Sequence, residues 1–234
     1  MPELHVLRVF CADDGSGGNP LGVFLTGAEV PPAERQSTAA ALGFSETVFV
    51  DDPDDGSVQI FTPTVEMPFA GHPLVGTTWL LAAERQAVAT LRPPAGPVPA
   101  RTEAGRAFVA GRPEWAPPFE WRELASPAEV EALTGPPGGH DLLGAYAWAD
   151  DHSVRARVFA ARVGIAEDEA TGAAAVRLGA LLRRPVTIRQ GRGSVIEVTP
   201  RDDGMVEIGG RVALEEVRPY PPSGGVARPP NRNT

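Results

Sequence analysis

Short apolar runs separated by turn residues fill the first half of the chain, and this pattern is typical of strands. Two of the runs, His5 to Cys11 and Gly22 to Leu25, flank a glycine-rich turn from Gly15 to Pro20. Two later runs, Thr47 to Val50 and Val58 to Phe61, are separated by an acidic turn. The pattern predicts four strands of a sheet.

Three segments have helical character. The segment from Ala33 to Leu42 is opened by Pro31-Pro32 and closed by Gly43, as a helix would be. The segments Leu74 to Ala83 and Thr171 to Leu182 are apolar or small on nearly every face. A helix without a polar face has to be enclosed, so we expect strands to surround both of them.

The second half of the chain repeats the order of the first, since a strand from Arg155 to Ala160 precedes the second apolar helix. A Pro- and Gly-rich stretch from Arg92 to Gly111 predicts a crossing between two lobes. We expect an α+β fold of two pseudo-repeated lobes, each with mostly antiparallel strands around a central helix. The expected parts are an N-terminal lobe at residues 1–101, a C-terminal lobe at residues 102–218, and a Pro-rich tail at residues 219–234, mobile or paired with a neighbour.

Charge and composition narrow the class of partner. The formal net charge is -9 and no cluster of Lys and Arg is present, which argues against nucleic acid and anionic membranes and favours a small soluble molecule. A single cysteine, Cys11, excludes an intrachain disulfide and a Cys-rich metal site, and the four histidines lack metal-ligand spacing. With no signal-like start and no apolar stretch near the roughly 20 residues of a membrane span, we expect a cytoplasmic protein without a metal.

The stretch from Ile60 to Pro73 carries a histidine at the start of an apolar helix. Pro73 is predicted at the first helical position, where its missing N–H costs nothing. The free N–H groups would then lie at Gly71 and His72, which is a place for an anion. His72 could bind a substrate carboxylate or relay a proton, or it could be a structural residue that satisfies a buried carbonyl.

Two carboxyl groups are candidates for proton transfer. Glu46 lies between a helix cap and a strand in apolar company, where burial would raise its pKa as a general base near neutral pH requires. The alternative is a solvated loop glutamate. Asp168, with Glu169, precedes the second apolar helix, where the alternative is simple capping.

Backbone groups and one amide complete the candidate site. Thr171-Gly172-Ala173 would present N–H groups to a carboxylate or an enolate oxygen, unless these small residues only permit close packing. Asn19, in the turn from Gly17 to Pro20, could contact a ligand or could stabilise the turn. Cys11, within a strand, is expected to be a packed thiol.

Four motifs, in order over most of the chain, resemble the phenazine-biosynthesis isomerase (PhzF-like) family, which shares its fold with diaminopimelate epimerase. The motifs are Gly18 to Phe24, Phe44 to Val50, Ile60-Phe61-Thr62-Pro63 with Pro68 to Thr77, and Glu167 to Ala174. The resemblance implies strand barrels around central helices, an active site between the lobes, a homodimer and no cofactor.

The resemblance also implies roles for individual residues. Glu46 matches the family's acid/base glutamate, which takes a proton from one carbon and returns it to another. His72 and Asp168 match the polar partners that orient the substrate and assist that transfer. The substrate carboxylate is expected at the helix starts, in a binding set made up of Asn19, Gly71, Thr171, Gly172 and Ala173.

The chain departs from the family pattern in two places. The family commonly has Asp-Pro-x-Thr-Gly-Ser where this chain has Asp168 to Ala173, so the serine hydroxyl is absent while the N–H of Ala173 remains. The stretch between Leu124 and Arg155 is short, which predicts a truncated second lobe. A smaller lobe weakens the expectation of the family's phenazine substrate more than it weakens the expectation of proton-transfer chemistry.

Two functions from different classes follow. The first is a cofactor-independent isomerase that moves a double bond by proton transfer in a small cyclic carboxylate or amino-acid-like substrate. The second is a catalytically inactive binding or scaffold protein of the same fold, suggested by the missing serine and the reduced lobe. Racemisation by two thiols is disfavoured, because one cysteine cannot supply both bases.

Overall fold

Strands dominate the fold, with helices packed against their faces. The computed structural model describes residues 1–163 and 165–220. The strands are β1 Glu3–Cys11, β2 Gly17–Phe24, β3 Glu46–Asp52, β4 Ser57–Phe61, β5 Glu66–Met67, β6 Thr90–Leu91, β7 Val98–Glu103, β8 Arg106–Gly111, β9 Glu120–Glu123, β10 Leu143–Trp148, β11 Ser153–Ala160, β12 Ile165–Asp168, β13 Val186–Gln190, β14 Ser194–Pro200 and β15 Val206–Pro219. The α-helices are α1 Pro32–Leu42, α2 Gly71–Glu84, α3 Pro127–Glu131 and α4 Gly172–Leu182.

One continuous path of paired strands runs through most of the sheet, in the order β5-β4-β3-β2-β1-β15-β14-β13-β11-β10-β9. Strand β8 joins the path at β15 and carries β7 and β6 as a branch, while β12 pairs with β11. Among the described residues, β2–β3, β9–β10 and β11–β13 pair in parallel and the remaining strand pairs are antiparallel. The predicted α+β fold with mostly antiparallel strands is confirmed.

The helix α2 is enclosed, as its lack of a polar face predicts. Its side chains Leu74, Val75, Leu80 and Leu81 are fully buried in the main core, against residues of β1, β2 and β3. The hydroxyls of its two threonines donate to backbone carbonyls one turn earlier, both at 2.8 Å. These two buried hydroxyl groups therefore need no partner outside the helix.

The helix α4 is buried along most of its length. Residues Gly172 to Val176 are buried, together with Leu178 and Gly179. Ala180 and Leu182 are half-buried, Leu181 is 58 % exposed, and the guanidinium of Arg177 donates to the carbonyl of Pro113 at 3.1 Å. None of the helices in residues 1–163 and 165–220 has the length and apolar character needed to cross a membrane.

A second layer lies on the opposite face of the N-terminal strands. Because side chains alternate along a strand, Val48 and Val50 of β3 face the main core, while Phe49 faces α1 and stacks on Phe24 with ring centroids 5.1 Å apart. The helix α1 begins at Pro32 and is followed by a left-handed Gly43. The predicted start and end signals of this helix are confirmed.

Some local predictions were wrong. Helix α2 begins at Gly71, so Pro73 is its third residue and not its first. The segment Gly17 to Pro20 is the beginning of β2 and not a turn, and the stretch from Arg92 to Gly111 contains the β7–β8 hairpin. In the last two segments, pairing with β1 and within the hairpin overrides a local preference for turns.

The division into lobes stays a prediction, and Arg101, its expected boundary, lies within β7. The shortened stretch between Leu124 and Arg155 holds α3 and β10. Of the predicted tail, Pro219 ends β15 and Tyr220 packs edge-on against Phe24. The rest of the tail, residues 221–234, lies outside the described residues.

The first turns of α2 and α4 touch through their backbones. A Cβ atom built on Gly71 would lie 2.8 Å from the carbonyl carbon of Gly172, and one built on Gly172 would lie 2.6 Å from the amide nitrogen of His72. Such distances are too short for real Cβ atoms when the neighbour is backbone. This contact therefore requires glycine on both helices.

Replacing Gly172 with alanine should destabilise the protein, because the added methyl group would push the two helix starts apart. Overpacking of a tight site costs about 1–3 kcal/mol, and we expect Gly172→Ala to lower the free energy of unfolding by that amount in urea denaturation. The matched control is Gly135→Ala, since a Cβ on Gly135 meets nothing within 4 Å. Equal stability of the two variants would contradict the requirement for glycine.

Candidate active site

The parallel pair β2–β3 brings Asn19 and Glu46 to the same side of the sheet. Glu46 is the first residue of β3 and is the register partner of Leu21. Asn19 lies two residues before Leu21 and shares its face, while Glu46 shares the face of Val48, so both side chains point toward the main core. Because side chains alternate along a strand, a glutamate at this position points toward the core.

Glu46 lies beside His72, the second residue of α2. The two side chains are 15 % and 3 % exposed, and His72 Nδ1 lies 3.4 Å from Glu46 Oε2. Within the described residues, Glu46 Oε2 and His72 Nε2 are buried atoms without a hydrogen-bond partner. Glu46 is therefore not a solvated loop residue, and unpaired buried atoms of this kind are typical of a site that receives a ligand.

Burial acts on the pKa values of both groups. It raises the pKa of Glu46 to about 7, with the hydroxyl of Ser45 acting in the opposite direction. It lowers the pKa of His72 to about 4, although the charge of Asp168 and the carbonyl of Pro20 favour the protonated ring. At neutral pH His72 is thus uncharged, while Glu46 can either hold or release a proton, as a general acid/base must.

Asp168 ends β12 and is held by donors from two other segments. Its Oδ1 accepts from the side-chain amide of Asn19 at 2.8 Å, and its Oδ2 accepts from the hydroxyl of Thr171 at 2.6 Å. Asn19 also donates to the carbonyl of Ala170 at 2.9 Å. Asp168 is therefore not a simple helix cap, and Asn19 does not stabilise a local turn but joins strand β2 to the start of α4.

The pKa of Asp168 is raised to about 6, first by burial and then by the charge of Glu46. His72 and the hydrogen bonds from Thr171 and Asn19 act in the opposite direction. Two carboxyl groups and one imidazole thus influence one another's protonation in a buried space. Pairs of titratable groups with different environments are characteristic of acid/base catalytic sites.

Gln190, which sequence reasoning missed, completes the cluster. Its amide nitrogen donates to the carbonyl of Asp168 at 2.8 Å and to the hydroxyl oxygen of Thr171 at 2.9 Å, and its Oε1 accepts from the backbone N–H of Thr171 at 3.3 Å. The signal was available in β13, where Gln190 lies on the same face of the strand as the buried side chains of Val186 and Ile188. A polar side chain in line with two buried apolar ones calls for a partner inside the protein.

The first turns of α2 and α4 carry backbone N–H groups next to the cluster. The first-turn N–H groups of α2 at Gly71 and His72, and those of α4 at Gly172 and Ala173, have no acceptor within their own helices. Contrary to expectation, Thr171 does not offer its N–H, because Gln190 accepts it, and contributes its hydroxyl instead. Two positive helix ends in contact favour a negatively charged group nearby.

The strands around the cluster are tied to it by further polar contacts. The Ser45 hydroxyl donates to Asn19 Oδ1 at 3.3 Å, and Ser194 Oγ accepts from the N–H of Gly18 and donates to Glu169. Cys11 is buried in β1, as expected of a packed thiol. Among residues 1–163 and 165–220, no three His, Cys, Asp or Glu side chains are placed to hold a metal ion.

Comparison with known proteins gives the family. A model of the phenazine biosynthesis-like protein family matches residues 7–134, more than half of the chain. The trans-2,3-dihydro-3-hydroxyanthranilate isomerase of Pseudomonas aeruginosa is 30 % identical over 216 residues, covering 75 % of this chain and 78 % of that protein. The enzyme of the same name from Pseudomonas fluorescens is 46 % identical over 69 residues, 28 % of this chain and only 25 % of its own length.

Solved structures agree on the fold. A PhzF-family phenazine biosynthesis protein of Enterococcus faecalis superposes with a TM-score of 0.73 at 21 % identity, covering 92 % of this chain and 97 % of that one. A hydroxyproline epimerase of Agrobacterium vitis gives a TM-score of 0.61 at 12 % identity, with 93 % and 90 % covered. The chain belongs to the phenazine biosynthesis-like protein family, as its four motifs predict.

The buried Glu46 should make stability depend on pH. A carboxyl group whose pKa rises from 4.5 to about 7 on folding binds its proton more tightly in the native state, so its contribution is full below pH 4.5 and is lost as the pH rises through 7. Glu46→Gln removes this dependence. Relative to the unsubstituted protein, we expect the variant to gain about 2 kcal/mol between pH 5 and pH 8 in urea denaturation.

The control for this measurement is Glu66→Gln, because Glu66 is an exposed residue of β5. Its stability relative to the unsubstituted protein should not change between the two pH values. A pH-independent difference for Glu46→Gln would contradict the raised pKa.

Proposed function

We propose that this protein is a cofactor-independent isomerase that moves a double bond by proton transfer in a small cyclic carboxylate or amino-acid-like substrate. Glu46 carries the proton between two carbons. His72 and Asp168 orient the substrate and assist the transfer. The observation that supports this most directly is the largely buried Glu46 carboxyl group, 3.4 Å from His72 and next to two helix starts.

The substrate carboxylate would accept hydrogen bonds from the first-turn N–H groups of α2 and α4, with Gly71, Gly172 and Ala173 supplying backbone donors. This binding would also offset the repulsion between the two positive helix ends. Asn19 and Thr171 would contribute through their contacts with Asp168. A substrate held by its carboxylate would then present its ring to Glu46.

The proton transfer balances without any other reactant. Ionised Glu46 removes a proton from a carbon next to a double bond, and the C–H electron pair forms a new double bond to the neighbouring carbon. The original π electrons move to the far carbon, which takes the proton now on Glu46, after exchange of that proton with solvent. Glu46 ends ionised again, and a pKa near 7 suits it to both halves of the step.

The relatives support a substrate of this class. Two of them are named as isomerases of trans-2,3-dihydro-3-hydroxyanthranilate, a cyclic amino acid with a carboxylate. Ala173 in place of the family's serine favours the second candidate, a binding protein that has lost the reaction. The two candidates differ in one observable property, the exchange of a carbon-bound hydrogen.

We expect the protein to isomerise trans-2,3-dihydro-3-hydroxyanthranilate or a related cyclic carboxylate, and in D2O to introduce deuterium at the carbon that receives the proton. Nuclear magnetic resonance of the product measures both. Glu46→Gln should lower kcat/KM at least 100-fold, since general acid/base groups contribute about 10²–10⁴-fold. Glu66→Gln, on the surface, should leave kcat/KM unchanged.

Two results would overturn the proposal. One is a Glu46→Gln variant that turns over substrate at the unsubstituted rate, which would remove Glu46 from the chemistry. The other is calorimetric binding of such carboxylates by the unsubstituted protein without any isomerisation or deuterium exchange, which would favour the binding protein.

A further inference from the structure

The orientation of the Gln190 carboxamide is fixed without ambiguity. Its Oε1 faces the N–H of Thr171, a group that can only donate, and its amide nitrogen faces the carbonyl of Asp168, a group that can only accept. The same amide nitrogen lies 2.9 Å from the hydroxyl oxygen of Thr171, and it donates there too. Gln190 is buried, so water does not compete for these bonds.

This arrangement determines where the hydroxyl proton of Thr171 points. Because the oxygen accepts from Gln190, its single proton is directed to the other neighbour, Asp168 Oδ2, 2.6 Å away. Oδ1 of the same carboxyl group accepts a hydrogen bond from the side-chain amide of Asn19, whose own orientation is fixed by its bond to the carbonyl of Ala170. Both oxygens of Asp168 therefore accept, which is the pattern that stabilises a carboxylate.

Whether Asp168 is ionised matters for the site because other titratable groups lie around it. Glu46 on β3 and His72 on α2 act on it electrostatically, and the adjacent Glu169 is turned away toward Ser194 and the N–H of Arg192. Two ionised carboxylates so close would repel, so one of Glu46 and Asp168 holds a proton more readily than the other. Two side-chain donors bond to Asp168, whereas Glu46 Oε2 accepts no hydrogen bond from the described residues.

We propose that Gln190 is a positioning residue that fixes the Thr171 hydroxyl as a donor to Asp168, keeps Asp168 ionised throughout, and leaves Glu46 as the one carboxyl group of the two that gains and loses the proton. The inference builds on the proposed function, since it assigns the protonation states of the same site. This role accounts for the position of Gln190, a buried carboxamide on β13 that contacts the turn before α4.

The test is the titration of Asp168 by nuclear magnetic resonance of protein labelled with ¹³C at the aspartate carboxyl carbons. Asp168→Asn identifies the signal by its loss. In Gln190→Met, which keeps the length but lacks the amide, the Thr171 hydroxyl is free to turn away. We expect the midpoint of the Asp168 titration to rise by about one pH unit.

A double substitution separates this role from general packing. Thr171→Val should also raise the midpoint, and adding Gln190→Met to it should raise it little further, because Gln190 acts through the hydroxyl. Thr171→Ser should restore the original midpoint. The matched control is Gln36→Met, since Gln36 donates to the carbonyl of Thr62 from α1, and it should leave the Asp168 midpoint unchanged.

An unchanged Asp168 midpoint in Gln190→Met, or an equal shift in the presence and absence of the Thr171 hydroxyl, would overturn the proposal. If Gln190→Met does not fold, the comparison of Thr171→Val with Thr171→Ser decides, and equal midpoints in these two overturn it. The titration uses no substrate. A failure of the proposed isomerase reaction is therefore distinguishable from a failure of this inference.

Discussion

The contact between Gly71 and Gly172 is the constraint on which the site depends. It joins two helix starts that come from different halves of the chain, at a separation that leaves no room for a Cβ atom on either side. Two positive helix ends are thereby placed together, an unfavourable arrangement unless negative charge lies nearby. The carboxyl groups of Glu46 and Asp168 can supply this negative charge, and a carboxylate substrate would supply it as well.

The buried carboxyl groups lower the stability of the folded protein. Burial disfavours the charged form of Glu46, as its raised pKa shows, and a buried polar atom without a partner costs about 1–3 kcal/mol. Such a cost is tolerated because α2 and α4 lie in a large apolar core that includes Leu74, Val75 and Val176. The two helices thus supply both the apolar packing of the core and the first turns beside which the buried carboxyl groups lie.

The sequence predicted the elements of the fold better than their connections. Local signals located α1 and the two apolar helices, because proline, glycine and apolar periodicity act within one element. The same signals misplaced Pro73, because the start of α2 packs against Gly172, which is distant in sequence. They missed the β7–β8 hairpin, because a stretch rich in proline and glycine is also typical of an irregular connection. Glu46 was found through its apolar neighbours and its motif. Gln190 was missed, because its partners Asp168 and Thr171 lie about twenty residues earlier and no local rule joins them.

Ala173 in place of the family's serine bears on binding more than on proton transfer. The substitution removes one hydroxyl donor near the start of α4, and a typical hydrogen bond contributes a net 0.5–1.5 kcal/mol, roughly a tenfold change in affinity at most. The backbone N–H of Ala173 and that of Gly172 are unaffected by it. In the proposed mechanism the proton moves on Glu46, which lies on β3 and has its pKa set chiefly by burial. Under the proposed mechanism, loss of the serine would therefore weaken the binding of a carboxylate while leaving in place Glu46, the proposed proton carrier.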